Sequence, residues 1–548
     1  MLGRSKDRII GIQYLHVATP DTRSTWSPLR HTIFRWLWIA SVASNIGTWF
    51  QNVGASWMMT TISPSPTLVA LVQAATSLPM FLLSLPAGAV ADVLDRRRLL
   101  ILTQSWMTLA AFGLWAFTAA HATTPWILLS FTFLLGLGAA LNGPAWQASV
   151  PEMVSREDLP AAVTLSSIGF NIARALGPAL AGLVVASAGV AVTFLVNAVS
   201  FLGVLIVLFF WRRPAEEAVL PAERIWGAMT TGLRYVRHAP EVIAPIVRGC
   251  VFVLCGASLW ALLPLVASHV LKAGPEGYGL LLGALGVGAV AGAVVLPRLK
   301  RNNSMDGVVT IATLVFAGAT VALGYVTSFW LLMLAMLLAG GAWLSLLSSL
   351  NVAVQTVVPS WVMGRALSVY MLVFYAGLAG GSVLWGLVGE RIGISRALLV
   401  SAIGMIVGLA ATFRIHLRSG EGLNLAPSRQ WPAPIVVHDL EPDRGPVLVT
   451  VRYQIDPARA AEFAAAMDGI RRIRMRDGAL QWGLFADSAE VDRYTEIFLV
   501  KSWIEHLRQH ERVTHADKDI EERARAFHLG SERPIVEHLI AAPVKRAP

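Results

Sequence analysis

Residues 67–120 read TLVALVQAATSLPMFLLSLPAGAVADVLDRRRLLILTQSWMTLAAFGLWAFTAA. Two apolar runs, 67–91 and 99–120, flank a short charged break, Asp92-Val-Leu-Asp95-Arg96-Arg97-Arg98. A helix needs roughly 20 apolar residues to cross the hydrocarbon core of a bilayer. Each run is therefore read as a membrane span and the break as a tight turn at one membrane face. Prolines and glycines inside the runs do not oppose this reading, because neighbouring helices can satisfy the backbone groups they free.

The same pattern continues on both sides, at 33–60, 125–149, 160–187, 190–211, 241–268, 276–298, 307–327, 329–356, 364–389 and 393–415, so that twelve spans are expected. Of the 548 residues 55% are hydrophobic and 14% charged, against about 25% charged in soluble domains. The mean hydropathy is +0.60. A net charge of +10 would suggest nucleic acid in a soluble protein. Here the basic residues sit in short loops between spans, so they report topology and no nucleic-acid partner is expected. Cys250 and Cys255 lie in one apolar run, five residues apart and on different helix faces, and suggest neither a disulfide nor a metal site.

Loops on one side carry Arg96-Arg97-Arg98, Arg156, Arg212, Arg213, Arg224, Arg234, Arg237, Arg298, Lys300, Arg301 and Arg365, and Arg414 and Arg418 follow the last span. The opposite loops are nearly uncharged, with Lys272, Arg391 and Arg396 as exceptions. The positive-inside rule then predicts a multi-pass protein of a bacterial inner membrane with both termini cytoplasmic. Residues 1–30 lack the apolar core and cleavage site of a signal peptide and are read as a poorly ordered cytoplasmic tail. Trp36, Trp38, Trp126, Trp211 and Trp330 fall near span ends, as an interfacial belt would.

The longest inter-span loop, 212–240, divides the spans into 31–211 and 241–416. Features recur in order across the two halves. Gly88-Ala89-Val90 is echoed by Gly292-Ala293-Val294, Gln147 and Pro151 by Gln355 and Pro359, and Gly177 and Gly182 by Gly381 and Gly386. Two related halves around a midplane cavity is a transporter plan. The small residues Gly283, Gly286, Gly288 and Gly292 predict close helix packing.

The segment Gly88-Ala-Val-Ala-Asp92-Val-Leu-Asp95-Arg96-Arg97-Arg98 resembles the loop 2–3 signature of the major facilitator superfamily, with Val93 in place of the usual arginine. Asn171-Ile-Ala-Arg174-Ala-Leu-Gly177-Pro178-Ala-Leu-Ala-Gly182 resembles the fifth-helix Gly-Pro motif of exporters in that superfamily. The run from Thr48-Trp49 through Ala87, with Trp146-Gln147 to Gly182, is similar to the transmembrane secretion effector branch, which includes enterobactin exporter-like proteins. The resemblance implies a proton-driven exporter.

Candidate site residues follow. Gly88, Asp92, Asp95, Arg96 and Arg97 form a charged hinge that could pair across the halves in one state and release in another, and Gly177, Pro178 and Gly182 would bend or closely pack helix five. Arg174 lies deep in the fifth run. A charge there costs roughly 2.5–3.5 kcal/mol on insertion scales, and arginine cannot shed its proton to escape the cost. It must face a cavity, where it would attract an anionic or catecholate-like substrate, or bond carbonyls near the Gly-Pro bend. Asn45, Gln51, Asn142, Gln147 and Asn171 lie in spans one, four and five, which line the cavity in the resembled fold. Amides are costly in lipid unless bonded, so they should face inward, either to the cavity or as glue between helices. No Asp or Glu lies in the middle of any span, so the sequence shows no evident proton carrier, with Asp92 one possibility.

After residue 416 a Pro-rich linker, 417–444, leads to a charged region, 445–548. Its periodicity predicts strands at 447–455, 480–486, 494–501 and 535–540 with helices at 457–476 and 502–526, the ferredoxin-like β-α-β-β-α-β order. The stretch Trp503-Ile-Glu-His506-Leu-Arg-Gln-His510 resembles the soluble tail of the same exporter branch, similar in plan to antibiotic biosynthesis monooxygenase-type domains, which often dimerise. His506 and His510 share a helix face at a zinc-compatible spacing, with His515 nearby. A polar surface helix or dimer face is the favoured reading, and neither metal nor cofactor is expected.

The expectation is thus an all-α membrane protein of twelve helices in two six-helix pseudo-repeats with a C-terminal ferredoxin-like domain. It would be a transporter, not an enzyme, exporting a siderophore-like compound or drug in exchange for protons. An importer of the same fold is one alternative. A membrane-tethered enzyme or sensor acting through the tail is another. An ATP-driven pump is not expected, since the sequence shows no Gly-x-x-x-x-Gly-Lys-Ser/Thr loop.

Overall fold

The computed structural model describes residues 24–211, 225–417, 443–530 and 532–542, with 420, 423–428, 431 and 441 between them. The first half comprises α1 (Thr32–Ile62), α2 (Pro66–Val93), α3 (Arg96–Ala119), α4 (Pro125–Ser149), α5 (Leu159–Ala188) and α6 (Val190–Phe210). After α7 (Ile225–His238), the second half comprises α8 (Pro240–Leu265), α9 (Gly274–Asn302), α10 (Met305–Tyr325), α11 (Phe329–Val357), α12 (Met363–Ile392) and α13 (Ile394–Ala411). Among the described residues eleven helices are long and apolar enough to cross a membrane. The twelfth bundle member is α1, which is 31 residues long, more polar, and packed between α5 and α6.

Local chemistry sets the boundaries. Ser65, Thr124 and Ser304 cap α2, α4 and α10 by accepting from the amides of Leu68, Ile127 and Gly307, and Pro66 and Pro125 occupy first-turn positions whose missing N–H costs nothing. Asp95 caps α3 by accepting from the Arg98 amide at 2.8 Å.

Three expectations change. The 212–240 loop contains the amphipathic helix α7, and 212–224 lie outside the described residues. Within the N-terminal tail, Ser27–Arg30 forms a 3-10 turn whose Ser27 hydroxyl donates to Asp158 at 2.6 Å, while 1–23 lie outside the described residues. Trp36, Trp126 and Trp330 are exposed as a belt requires, but Trp211 is buried and Trp38 donates to the Leu165 carbonyl at 2.9 Å. Those two serve packing.

The repeat is reproduced at the Gly177–Gly182 and Gly381–Gly386 crossings, but not at Gly88 and Gly292: Gly88 has open space beside it, whereas Gly292 packs on α11. Gly177 packs against Trp49 of α1, and its echo Gly381 packs against Leu254 and Ala257 of α8. Gly182 packs against the start of α9, and its echo Gly386 against the start of α2. Gly283 and Gly286 face α5, whereas Gly288 and Gly292 face α11, so the small-residue run lets α9 sit tightly between two helices.

The tail domain consists of β1 (Val447–Gln454), α14 (Ala460–Asp477), β2 (Ala479–Ala486), β3 (Arg493–Val500), α15 (Trp503–Arg512), α16 (His515–Arg525) and β4 (Ile535–Ile540). The sheet order is β2-β3-β1-β4, all antiparallel, which is the ferredoxin-like topology. Alternate residues of β1 (Val447, Val449, Val451, Tyr453) bury against Phe463, Met467 and Ile470 of α14. The domain docks through α14 on α7, where Arg476 lies over the Tyr235 ring at 5.5 Å, and through Arg512, which lies over Trp361 of the second half at 4.6 Å.

Candidate translocation path

The halves meet along two helix pairs, α2 with α12 and α5 with α9. Close backbone contacts gather at the end of the bundle remote from the tail linker, the distal end. Pro275, Glu276 and Gly279 of α9 abut Gly182 of α5, and Pro66, Thr67 and Ala70 of α2 abut Gly386 of α12. Trp57 stacks on Tyr278 with centroids 6.2 Å apart, and the Glu390 carboxylate accepts from Ser65 (3.2 Å) and from Thr67. Glu390 therefore joins α12 to the loop preceding α2. Sequence reading gave Glu390 no role. The available signal was an acid at a distal span end in a chain whose spans otherwise lack central acids.

Arg174 marks where this closure stops. Residues 163, 167, 170, 174, 177, 178, 181 and 185 form one stripe along α5, at the three- and four-residue spacing of a helix face. Toward the linker, Val163 (54% exposed), Ser167 and Phe170 (52%) are open. Beyond Arg174, Gly177, Pro178, Ala181 and Val185 are buried. The partner helix changes at the same level: the Arg174 carbonyl abuts Gly286, α9 is buried through most of 277–289, and Val290, Val294 and Val295 are exposed. Arg174 thus stands on α5 at the level where buried positions give way to exposed ones, which mark an opening toward the linker end. Among the described residues its side chain has no ion pair or hydrogen bond.

The predicted amides separate. Asn171, one turn before Arg174 on the open side, donates to the Ser167 carbonyl at 2.9 Å. Gln147 is exposed near the linker-side end of α4, a turn from Gly143, whose Cα has open space beside it. Asn45 lines a small cleft inside the first half with Trp38, Trp146 and Ser166. Asn142 is inter-helix glue, accepting from Thr103 (3.1 Å) and Gln104 (3.4 Å) of α3. Gln51 does not line the opening either: it is 4% exposed, one turn from Gly47, which packs on Asn197 and Ser200 of α6.

The charged hinge is held within the first half in this conformation. Arg96 donates to the Ala148 carbonyl (3.0 Å) and to Glu152 (2.7 Å), and Arg97 to the carbonyls of Leu208 (3.1 Å) and Phe209 (2.9 Å). Gly88 has open space where a side chain would project. Asp92 belongs to the last turn of α2, and its side chain lies outside the described residues. A charged contact that sequence reading missed is buried Arg248 of α8, which pairs with Asp306 of α10 and donates to the Thr412 carbonyl at 3.1 Å, tying three helices of the second half together.

In the tail, His506 and His510 do adjoin, but inside the domain: His506 is 1% exposed. The third imidazole beside them is His538 of β4, not His515.

Residues 23–546 match the family described as transmembrane secretion effector. The staphyloferrin A transporter of Staphylococcus aureus (strain NCTC 8325 / PS 47) is 26% identical over 369 residues, covering 66% of this chain and 90% of that protein. The enterobactin exporter EntS of Salmonella typhi is 25% identical over 384 residues, covering 69% and 90%. Among solved structures, a bacterial homologue of the human lysosomal transporter Spinster, inward-facing and occupied, superposes with a TM-score of 0.57 at 14% identity, covering 71% of this chain and 97% of that one. A bacterial homologue of the iron transporter ferroportin, also inward-facing, gives 0.54 at 17%, covering 71% and 99%. At these identities the structures speak to the fold: a major facilitator bundle.

Proposed function

We propose, for a chain that belongs to the transmembrane secretion effector family of major facilitator transporters, that it exports an anionic, siderophore-class small molecule by alternating access in exchange for protons. One observation supports the reading: Arg174, whose side chain has no ion pair or hydrogen bond among the described residues, stands on α5 where the exposed linker-side positions give way to buried distal ones. A cation held there, away from bulk water, favours an anion more than the same cation would in solvent. The siderophore transport named for the two relatives supports the substrate class. The loops carrying Arg96–Arg98, Arg156, Arg298–Arg301 and Arg365 lie at the linker end. On the positive-inside rule that end is cytoplasmic, in the inner membrane, and the opening faces the cytoplasm.

Rocking the halves would break the distal contacts of Gly182, Gly386 and Glu390 and close the linker end, presenting Arg174 to the other side. Protonation of Asp92 remains the simplest coupling step for a chain without central acids. The test is uptake into inside-out vesicles of catecholate and carboxylate siderophores and cationic dyes under an imposed pH gradient. Gradient-dependent accumulation of the anionic compounds is the expected outcome. Accumulation only in right-side-out vesicles would make the protein an importer, and no transport across the panel would overturn the reading.

A further inference from the structure

We propose that His506, His510 and His538 form a binding site for one divalent transition-metal ion inside the tail domain, a site separate from the translocation path. The three imidazoles come from two elements that the topology brings together. His506 and His510 are one turn apart on α15, and His538 faces them from β4, opposite Val449 on the helix-covered side of the sheet. Their ligand atoms all lie within 4.8 Å of one another. The Nε2 atoms of His506 and His510 are 3.3 Å apart. Two nitrogens on a tetrahedral ion at about 2.0–2.1 Å stand roughly 3.4 Å from each other, so this pair already has the spacing of two ligands. The third needs an approach of up to about 1.4 Å on that same geometry, by side-chain rotation of the half-buried His538.

The surroundings favour ligation. The Gln509 Oε1 lies 3.4 Å from His506 Nδ1, so Nδ1 carries the proton and the Nε2 lone pair points at the cluster. Arg474 nearby carries a like charge to any cation, offset in part by the two buried carboxylates that clamp it, Glu496 (3.0 Å) and Glu521 (2.6 Å). Trp503 and Trp431 wall the cluster, the latter edge-on to His510 at 5.0 Å. Beside it opens a cavity of about 660 Å³ lined also by Val449, Phe498 and Arg474. Three protein ligands and a cavity-facing fourth position describe an open site, able to take water or an anionic oxygen donor. All-imidazole donors suit zinc, cobalt, nickel, copper or ferrous iron rather than magnesium or calcium.

The experiment uses the full-length, untagged protein, purified in detergent, stripped with chelator and titrated with Co²⁺ alone. One cobalt per chain should bind with the visible bands of a tetrahedral ion and be displaced by Zn²⁺. His538→Ala should weaken binding at least tenfold, as should His510→Gln. Gln509→Leu should weaken it roughly tenfold by freeing the His506 tautomer, and His515→Ala should leave it unchanged. Gel filtration identifies any variant that fails to fold, and His538, on the terminal strand and half exposed, is the substitution least able to disturb the core. Absence of stoichiometric cobalt in the wild type, or binding indifferent to both His538→Ala and His510→Gln, would overturn the site.

Discussion

Gly182 and Gly279 meet backbone to backbone, with the Gly182 Cα 2.9 Å from where a Cβ on Gly279 would stand. The nearest atoms are Cα, amide and carbonyl groups of the opposing helix, which cannot rotate away as a flexible side chain could. The distal closure therefore depends on the absence of side chains at this crossing. Gly279→Val should wedge the halves apart there and favour the distal-open state. Spin labels at Ser187 and Lys272, near the facing ends of α5 and α9, should show a longer distance than in the parent protein. An unchanged distribution would mean that the crossing does not control the closed state.

Arg174→Ala should lower vesicle transport of anionic siderophores by at least tenfold, equivalent to about 1.4 kcal/mol, while a neutral or cationic dye is spared. Arg174→Lys should retain part of the activity because the charge persists without the planar fork. Equal losses for all substrates would assign Arg174 to structure instead of recognition.

Arg474 is buried together with Glu496 and Glu521, which also accept from Tyr453 (3.1 Å) and Trp431 (2.9 Å) respectively. Removing one partner of a buried ionic group strands the others, at a cost of roughly 3–5 kcal/mol. Arg474→Met in the full-length protein should therefore make the tail domain sensitive to limited proteolysis at temperatures where the bundle remains intact. The triple variant Arg474→Met, Glu496→Gln, Glu521→Gln should recover much of the resistance.

Asp158, just before α5, is held down at about 2 by the Ser27 hydroxyl and by His31, whose Nε2 is 3.0 Å away. A carboxylate depressed in the folded state contributes stability that is complete above its unfolded value near 3.8 and is lost as pH falls through about 2. Asp158→Asn should lower the melting temperature at pH 7, and the difference from wild type should shrink as pH drops below 4. A constant difference across that range would show that the carboxylate's charge is not what anchors the turn before α1.

Span positions, the six-plus-six division and the tail topology were legible because each is written as periodicity: continuous apolar runs for spans, alternation for β1 and β4. The Gly177–Gly182 and Gly381–Gly386 echo was legible for the same reason, since each pair serves equivalent crossings. Side-chain partnership was less so. Asn142 and Gln51 look identical to cavity amides in one dimension, and only the α3 hydrogen bonds of Asn142 and the burial of Gln51 separate them from Asn171 and Gln147. Likewise, His538 lies too far along the chain from His506 for spacing to connect them, and the strand order makes them neighbours. Helix α7 is short and amphipathic, so a search for long apolar runs passes over it.

The tail domain's docking has a mechanical consequence. It rests on α7 and on Trp361 of the second half, and Gly420 of the linker lies against Thr356 at the end of α11. When the second half rocks, the domain rides on it as an outrigger. A single fluorophore pair, one on the first half and one on β4, could follow each turnover without any label near the pathway itself.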